Sequence, residues 1–312
     1  YVKKICMSLF LLLFHNNTYS TTSHNTKGTF MSEIVDQIES TKQEVIPEQS
    51  VAVIERRGTS ATLLLHANIS FSPETLQSVY QSTETLSELL PRVEVGVNDV
   101  GNRFMVRFAP QDGNPFIKAP SAVRIECGNN LLVANVTSFD QFPHAWAMLS
   151  SGVLAMLRGL LSSPQAGEVL FNGIELQVMD RVFSKTSPES FDVRNVMRED
   201  SEFFSPKLLT SGYDWYLNHG WVDQAKEIDA KILNRLNINN VALGSDQSFV
   251  TQFDHHQFLR YENKQILPAA LLLENGGLPY LDGYISILHA KNDAVTSSLI
   301  PEHLRRNDLK TI

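Results

Sequence analysis

The sequence is short of the residue types on which several large protein classes depend. It has two cysteines, Cys6 and Cys127, in 312 residues. That is too few for a disulfide framework or a four-ligand zinc site, and it points to a reducing compartment. Lys and Arg number 26 against 34 Asp and Glu, for a formal net charge of −8. Downstream of residue 30 the basic doublets are Arg56-Arg57 and Arg305-Arg306. Nucleic acids and anionic membranes bind clustered Lys and Arg by counterion release, so neither is expected as a partner. There is also no G-x-x-x-x-G-K-[ST] phosphate loop, no G-x-G-x-x-G after a strand, no H-E-x-x-H and no G-x-S-x-G. These absences leave most enzyme classes with a local signature unsupported, and no cofactor is expected. No internal repeat and no low-complexity tract stands out.

What is present is the composition of a folded chain, 43% apolar and 19% charged, far from that of a disordered or collagen-like one. The length allows one large domain or two of ordinary size. A soluble, acidic protein of the bacterial cytoplasm is the expectation. Residues 1–30 carry Lys3 and Lys4 ahead of an apolar run, Ile5 to Phe14, which is signal-like; it is too short to span a bilayer and lacks a clean small-x-small cleavage site. Lys27-Gly28, three codons before Met31, suits a translated ribosome-binding site. We therefore expect Met31 to be the true start and 1–30 to be a non-native upstream extension, with export as the alternative if the segment is a genuine signal peptide. A start at Met31 removes Lys3, Lys4 and Lys27 and deepens the negative charge. Residues 31–50 read as a mobile arm or short helix.

From Thr62 to Phe71 apolar and polar residues alternate, with Leu63, Leu65, Ala67, Ile69 and Phe71 on one face, which predicts a half-buried strand. Ser72-Pro73 opens a helix with Leu76, Val79, Tyr80, Thr83, Leu86 and Leu90 on one stripe, and Pro91 stops it. Two hairpins follow. Val93, Val95 and Val97 turn back as Phe104, Val106 and Phe108, and Val123, Ile125 and Cys127 turn through Gly128-Asn129-Asn130 into Leu131 to Val136. Cys127 reads as a small buried hydrophobe. Asp140 is a cap for a helix with Phe142, Ala145, Trp146, Leu149, Val153, Met156, Leu157 and Leu160 on its apolar stripe, and Ile174 to Phe183 returns as a strand.

Residues 185–211 contain Pro188 and Pro206 and no sustained period, so they read as a connection between an N-terminal half, 51–184, and a C-terminal half, 212–312, which are open to being related. Trp215 to Trp221 and Ile228 to Ile232 suggest strands, although a helix over 223–236 fits nearly as well, and Phe249 to Tyr261 looks extended. Leu281, Tyr284, Ile285, Leu288, Val295 and Leu299 form a last helical stripe ended by Pro301. The fold class is α+β: mostly antiparallel sheets from hairpins, with amphipathic helices packed on one face.

One dense polar cluster invites a chemical reading, Asp254-His255-His256, with His219 and Glu262 in the same half. On a strand Asp254 and His256 share a face and His255 points away, so these two could ligate a metal only with help from another strand, His219 or Glu262 being the candidates. The plainer expectation is a β-bulge that shifts the apolar register between Phe253 and Phe258 and leaves solvated histidines at a sheet edge. Solvated or capping roles are expected for His66, His289 and His303. Core packing is expected for the aromatic patch of Tyr213, Trp215, Tyr216 and Trp221.

Four stretches, Arg103–Gly113, Asn129–Thr137 with the Trp146 helix, Ile174–Val182 and Leu288–Val295, together resemble a sporadically distributed family of uncharacterised bacterial proteins of accessory genomes. The resemblance covers most of the chain from Thr62 onward. The strongly aromatic strand that members often carry after the second hairpin is missing, and no catalytic residue carries over. A binding or protein-interaction module, in a phage-defence or other accessory setting, is therefore the first expectation, with an unknown protein or small ligand as partner. The alternative is a metal-assisted hydrolase using Asp254 and His256.

Overall fold

The computed structural model describes residues 53–88, 90–97, 103–109, 122–139, 141–243, 248–260, 267–274 and 277–305. The expectations for 1–50, the Asp140 cap and Glu262 fall outside them.

Strand β1 (Val53–Ala67) starts earlier than its alternation suggests and stops at Ala67, so Ile69 and Phe71 follow it as irregular chain. Its Ala61, Leu63 and Leu65 are fully buried, while Thr62, Leu64 and His66 on the other face are half-exposed. Helix α1 (Pro73–Ser82) is capped as expected, Ser72 Oγ accepting from Thr75 N at 3.2 Å, and a 3-10 stretch, Thr83–Glu88, continues it. The two hairpins are β2 (Arg92–Val97) with β3 (Arg103–Phe108), and β4 (Ala122–Gly128) with β5 (Leu131–Thr137). Asn129 takes φ +52° in the second turn, the left-handed conformation that Asn tolerates. Helix α2 (Phe142–Leu161) has Gln141 at its cap with no side-chain bond there, and a proline in its first turn fixes where it begins.

The long strand β6 (Leu170–Lys185) is followed by 3-10 turns, then by β7 (Trp215–Ala225), β8 (Ala230–Leu243), β9 (Ser248–Arg260) and the short β10 (Leu267–Pro268). Residues 223–236 are thus strands around a turn at Asp229, φ +46°, and not a helix. The last described elements are α3 (Ala269–Leu272), α4 (Pro279–Leu299) and α5 (Glu302–Arg305).

Among the described residues every strand pairing is antiparallel, and the ten strands form one sheet in the order β2-β3-β4-β5-β1-β6-β9-β8-β7, with β10 on the start of β6. Residues 51–184 and 212–312 contribute strands to that same sheet, joined where β6 pairs with β9. Strand alternation sends Leu63, Ile125, Ala134, Leu176 and Ile232 to one side, where α1, α2 and α4 lie. Leu149, Val153, Met156, Leu157 and Leu160 of α2 are buried there, each worth about 1.5–3 kcal/mol of transfer free energy. A second apolar cluster, with Val182, Met197, Leu236, Ile238, Phe253 and Leu299, occupies the same side further along β6, β8 and β9. No described helix is long and apolar enough to cross a membrane.

Candidate binding surface on the uncovered sheet face

The register that buries alternate residues beneath the helices lines the others up across the reverse face, which no helix among the described residues covers. Arg107 pairs with Arg124, Arg124 with Asn135, Asn135 with Thr62, Thr62 with Gln177, Gln177 with His256 and His256 with Arg235. One polar residue from each of seven consecutive strands therefore forms a row perpendicular to the chain directions. The next row, Thr137, Ser60, Met179, Asp254, Asn237 and Asn218, is also mostly polar. A sheet face carrying this much hydrogen-bonding capacity has no need of a helix over it, which explains why the helices gather on the other side.

Two features stand on this face. The first is a chain of ion pairs. Glu175 Oε1 lies 3.1 Å from His256 Nδ1, and Glu175 Oε2 lies 3.4 Å from His66 Nε2. His256 Nε2 lies 3.1 Å from Asp254 Oδ2, and Gln177 Nε2 donates to Asp254 Oδ1 at 2.8 Å. Burial would lower the His256 pKa, but its bonds to Asp254 and Glu175 outweigh that and raise it to about 9. Burial would likewise raise Glu175, yet His256 and His66 hold it down to about 2. The imidazole of His256 is therefore a bridging cation between two carboxylates.

The second feature is a depression of about 390 Å³ lined by Ser60, Asn135, Thr137, Ser138 and Met179 with Arg124 and Arg181. Arg124 is held through Nε by Glu126 Oε1 at 3.1 Å, and Arg181 through Nε by Gln252 Oε1 at 3.2 Å. Among the described residues, the terminal nitrogens of both guanidinium groups have no recorded partner. Two fork-shaped donors with free ends beside hydroxyl and amide groups suit a carboxylate or phosphate.

The predicted metal set separates. Asp254 and His256 share the uncovered face as expected, but β9 runs between β6 and β8 with no register shift, so the expected bulge and sheet edge are absent. His219 pairs with Leu236, which pairs with His255, and this puts it on the helix-covered face against Phe203. Among the described residues, no group of three or more His, Cys, Asp or Glu is arranged to hold a metal ion. The physical reason is visible at His256, whose two ring nitrogens face separate carboxylates and do not converge with them on one point.

His255 was the residue the sequence pattern undervalued. It is buried beneath α4, its Nδ1 3.0 Å from Asn292 Oδ1 and its Nε2 3.3 Å from Asn234 Oδ1, with its ring stacked on Trp221. Asn234 Nδ2 and Trp221 Nε1 both donate to Asp223 Oδ2, at 3.1 and 3.2 Å. Burial pushes the His255 pKa down to about 4, against the opposing effect of the Asn292 bond. This polar seam lies between the two apolar clusters, and its signal in the sequence is the set Asn234, His255, Gln257 and Asn292, each standing where the apolar period expects a hydrophobe. His66 is half-buried against Glu175 rather than solvated. His289 stacks on Phe142 with ring centroids 3.8 Å apart. Of the aromatic patch, Trp215 is buried and Tyr216 is exposed.

No family model matches the chain, and no curated protein matches it.

Proposed function

We propose that the protein is a binding or protein-interaction module whose uncovered sheet face receives a partner or small ligand presenting an anionic group to Arg124 and Arg181. The observation that carries this reading is the pair of guanidinium groups, each anchored through Nε with its terminal nitrogens unpaired among the described residues, at the edge of a polar depression. The anchoring matters because it reduces the side-chain entropy lost when an anion is bound. The polar row across seven strands extends the surface beyond the depression, as suits a ligand larger than the anion itself. Such a site is compatible with the overall negative charge, since local pairing and not net charge decides where an anion docks.

The metal-assisted hydrolase alternative needs a third ligand beside Asp254 and His256. Among the described residues it draws no comparable support, because His219 faces the helices and His256 is spent on two carboxylates, Glu262 lying outside them. Metal analysis of the purified protein, with His256→Ala as control, decides that alternative by finding or not finding stoichiometric metal.

The binding reading is tested by thermal unfolding in rising concentrations of inorganic phosphate and pyrophosphate at constant ionic strength. Occupancy at a hundredfold excess over Kd stabilises by about 2.7 kcal/mol. The expected result is a rise in Tm for the wild type that is lost in the Arg124→Gln, Arg181→Gln double variant and kept in Arg158→Gln, on the exposed side of α2. Equal rises in all three proteins would sink the reading.

A further inference from the structure

The two edges of the sheet are built differently. Strand β2 is six residues long, has a register shift between Arg92 and Glu94, and opens on Arg92, whose guanidinium lies 5.0 Å above the Tyr80 ring. Short length, irregular pairing and a cation are the usual devices that keep an edge from pairing further. Strand β7 has none of them. It runs for eleven residues, Trp215–Ala225, in unbroken register with β8, and contains no Lys, Arg or Pro. Among the described residues, no backbone hydrogen bond joins it to anything other than β8. Tyr216 and Val222 are 75% and 56% exposed on it, large values for apolar side chains in the middle of an ordered strand.

We propose that β7 pairs antiparallel with β7 of a second copy about a two-fold axis through Trp221, joining the two sheets edge to edge. A closed two-fold contact requires the strand to be complementary to itself, and this register meets that requirement on both faces. Directly opposed residues in an antiparallel pair share a face. On the uncovered face the exposed Val222 then lies against Gly220 of the second copy, which has no side chain to obstruct it, and Asn218 meets Gln224. On the covered face His219 meets Asp223, Leu217 meets Ala225 and Trp221 meets its own equivalent. The His219–Asp223 pairing occurs twice and sets an imidazole against a carboxylate. Asp223 keeps 35% of its side chain exposed while bonding Trp221 and Asn234, so it has acceptor capacity left. Moving the axis by one residue, to Gly220, sets Leu217 against Asp223 and leaves Val222 against Asn218, which loses both complementarities.

The test is the mass of the full chain in solution, by light scattering or sedimentation, at high micromolar concentration. The expected species is a dimer of twice 35.0 kDa, and Val222→Lys is expected to shift it to monomer while keeping the wild-type Tm at dilutions where the wild type is itself monomeric, since the side chain is exposed and leaves the core untouched. Cysteine pairing fixes the register: Gly220→Cys chains mixed with Val222→Cys chains are expected to form a disulfide-linked dimer on oxidation, and neither variant to link with itself. A monomeric wild type overturns the proposal. So does a dimer indifferent to Val222→Lys, or Val222→Cys chains that link to each other as readily as to Gly220→Cys chains.

Discussion

His256 Nδ1 lies 3.1 Å from Glu175 Oε1 across the β6–β9 pairing, and with Asp254 on Nε2 this contact makes one half-buried imidazole the shared counter-charge of two carboxylates. The folded-state pKa of His256 is raised from 6.5 to about 9. Its stabilising contribution is therefore complete below pH 6.5 and is lost as pH rises through 9. Glu175 is lowered from 4.5 to about 2, so its contribution is present above pH 4.5 and is lost as pH falls through 2. These are one interaction seen from its two ends and are not to be added. We expect His256→Asn to cost about 2–3 kcal/mol near pH 6.5, the range for hydrogen bonds to charged groups. It is also expected to flatten the fall in stability between pH 6.5 and 9. Urea unfolding of both proteins across that interval measures it, and parallel alkaline slopes would show that the imidazole is uncharged in the folded state.

His255, the next residue, behaves in the opposite way. Burial beneath α4 lowers its pKa from 6.5 to about 4, so the unfolded chain takes up the proton first. Stability is full above pH 6.5 and declines as pH falls toward 4, by about 3 kcal/mol if the whole shift is expressed. The contribution of His256 is flat between pH 4.5 and 6.5, so the acid limb reports on His255 together with His289, whose pKa burial also lowers. His255→Gln is expected to flatten that limb. Asn292→Ala, which leaves His255 Nδ1 without its partner, is expected to cost about 1–3 kcal/mol. Histidine ring resonances followed by NMR from pH 7 to 4 give the check: the His255 signal should titrate near 4, well below the 6.5 of a free imidazole.

The contrast between these neighbours also shows how far the sequence could be read. Two-residue alternation gave β3, β4, β5 and β6 and their buried faces, because each side chain there is plainly apolar or plainly polar. Three-to-four-residue spacing likewise gave α1, α2 and α4. Two-residue alternation also put Asp254 and His256 on one face and His255 on the other. It failed where a polar residue occupies a core position, because periodicity treats Asn234, His255 and Asn292 as exposed unless a partner from a distant element is known. Asn292 lies 37 residues from His255, and Glu175 lies 81 from His256. Arg124 and Arg181 were equally illegible as a site, since only the β4-β5-β1-β6 order, with three strands' worth of register, brings them to one depression.

Cys127 gives a simple probe of the core. It is fully buried on the covered face of β4, and burial pushes its thiol pKa up, away from the reactive thiolate. We expect it to be inert to an aromatic disulfide reagent in the native protein and to react only at the rate of unfolding. Labelling followed by peptide mapping distinguishes it from Cys6, and rapid native labelling at Cys127 would contradict the packing described for β4 and α2.

The crossing of α1 and α2 depends on Gly159, where a Cβ would sit 2.6 Å from Val79 Cα and 2.7 Å from Ser78 O. Both are backbone atoms of α1, so no rotamer change relieves the overlap, and the helices would have to separate. The separation would also strain the bond from Ser82 Oγ to Ala155 O, 2.7 Å long, that ties the two helices together. Gly159→Ala is therefore expected to destabilise by about 2–3 kcal/mol, the upper part of the range for overpacking. Gly283 provides the control: it lies in α4, is exposed, and a Cβ there meets nothing within 4 Å. Helix propensity and the reduced freedom of the unfolded chain then act alone, and Gly283→Ala is expected to stabilise by about 0.5–1 kcal/mol. Chemical denaturation of the two variants beside the wild type should move the midpoints in opposite directions. A tolerated Gly159→Ala would mean that α1 and α2 lie further apart than the contacts at Val79 and Ser82 require.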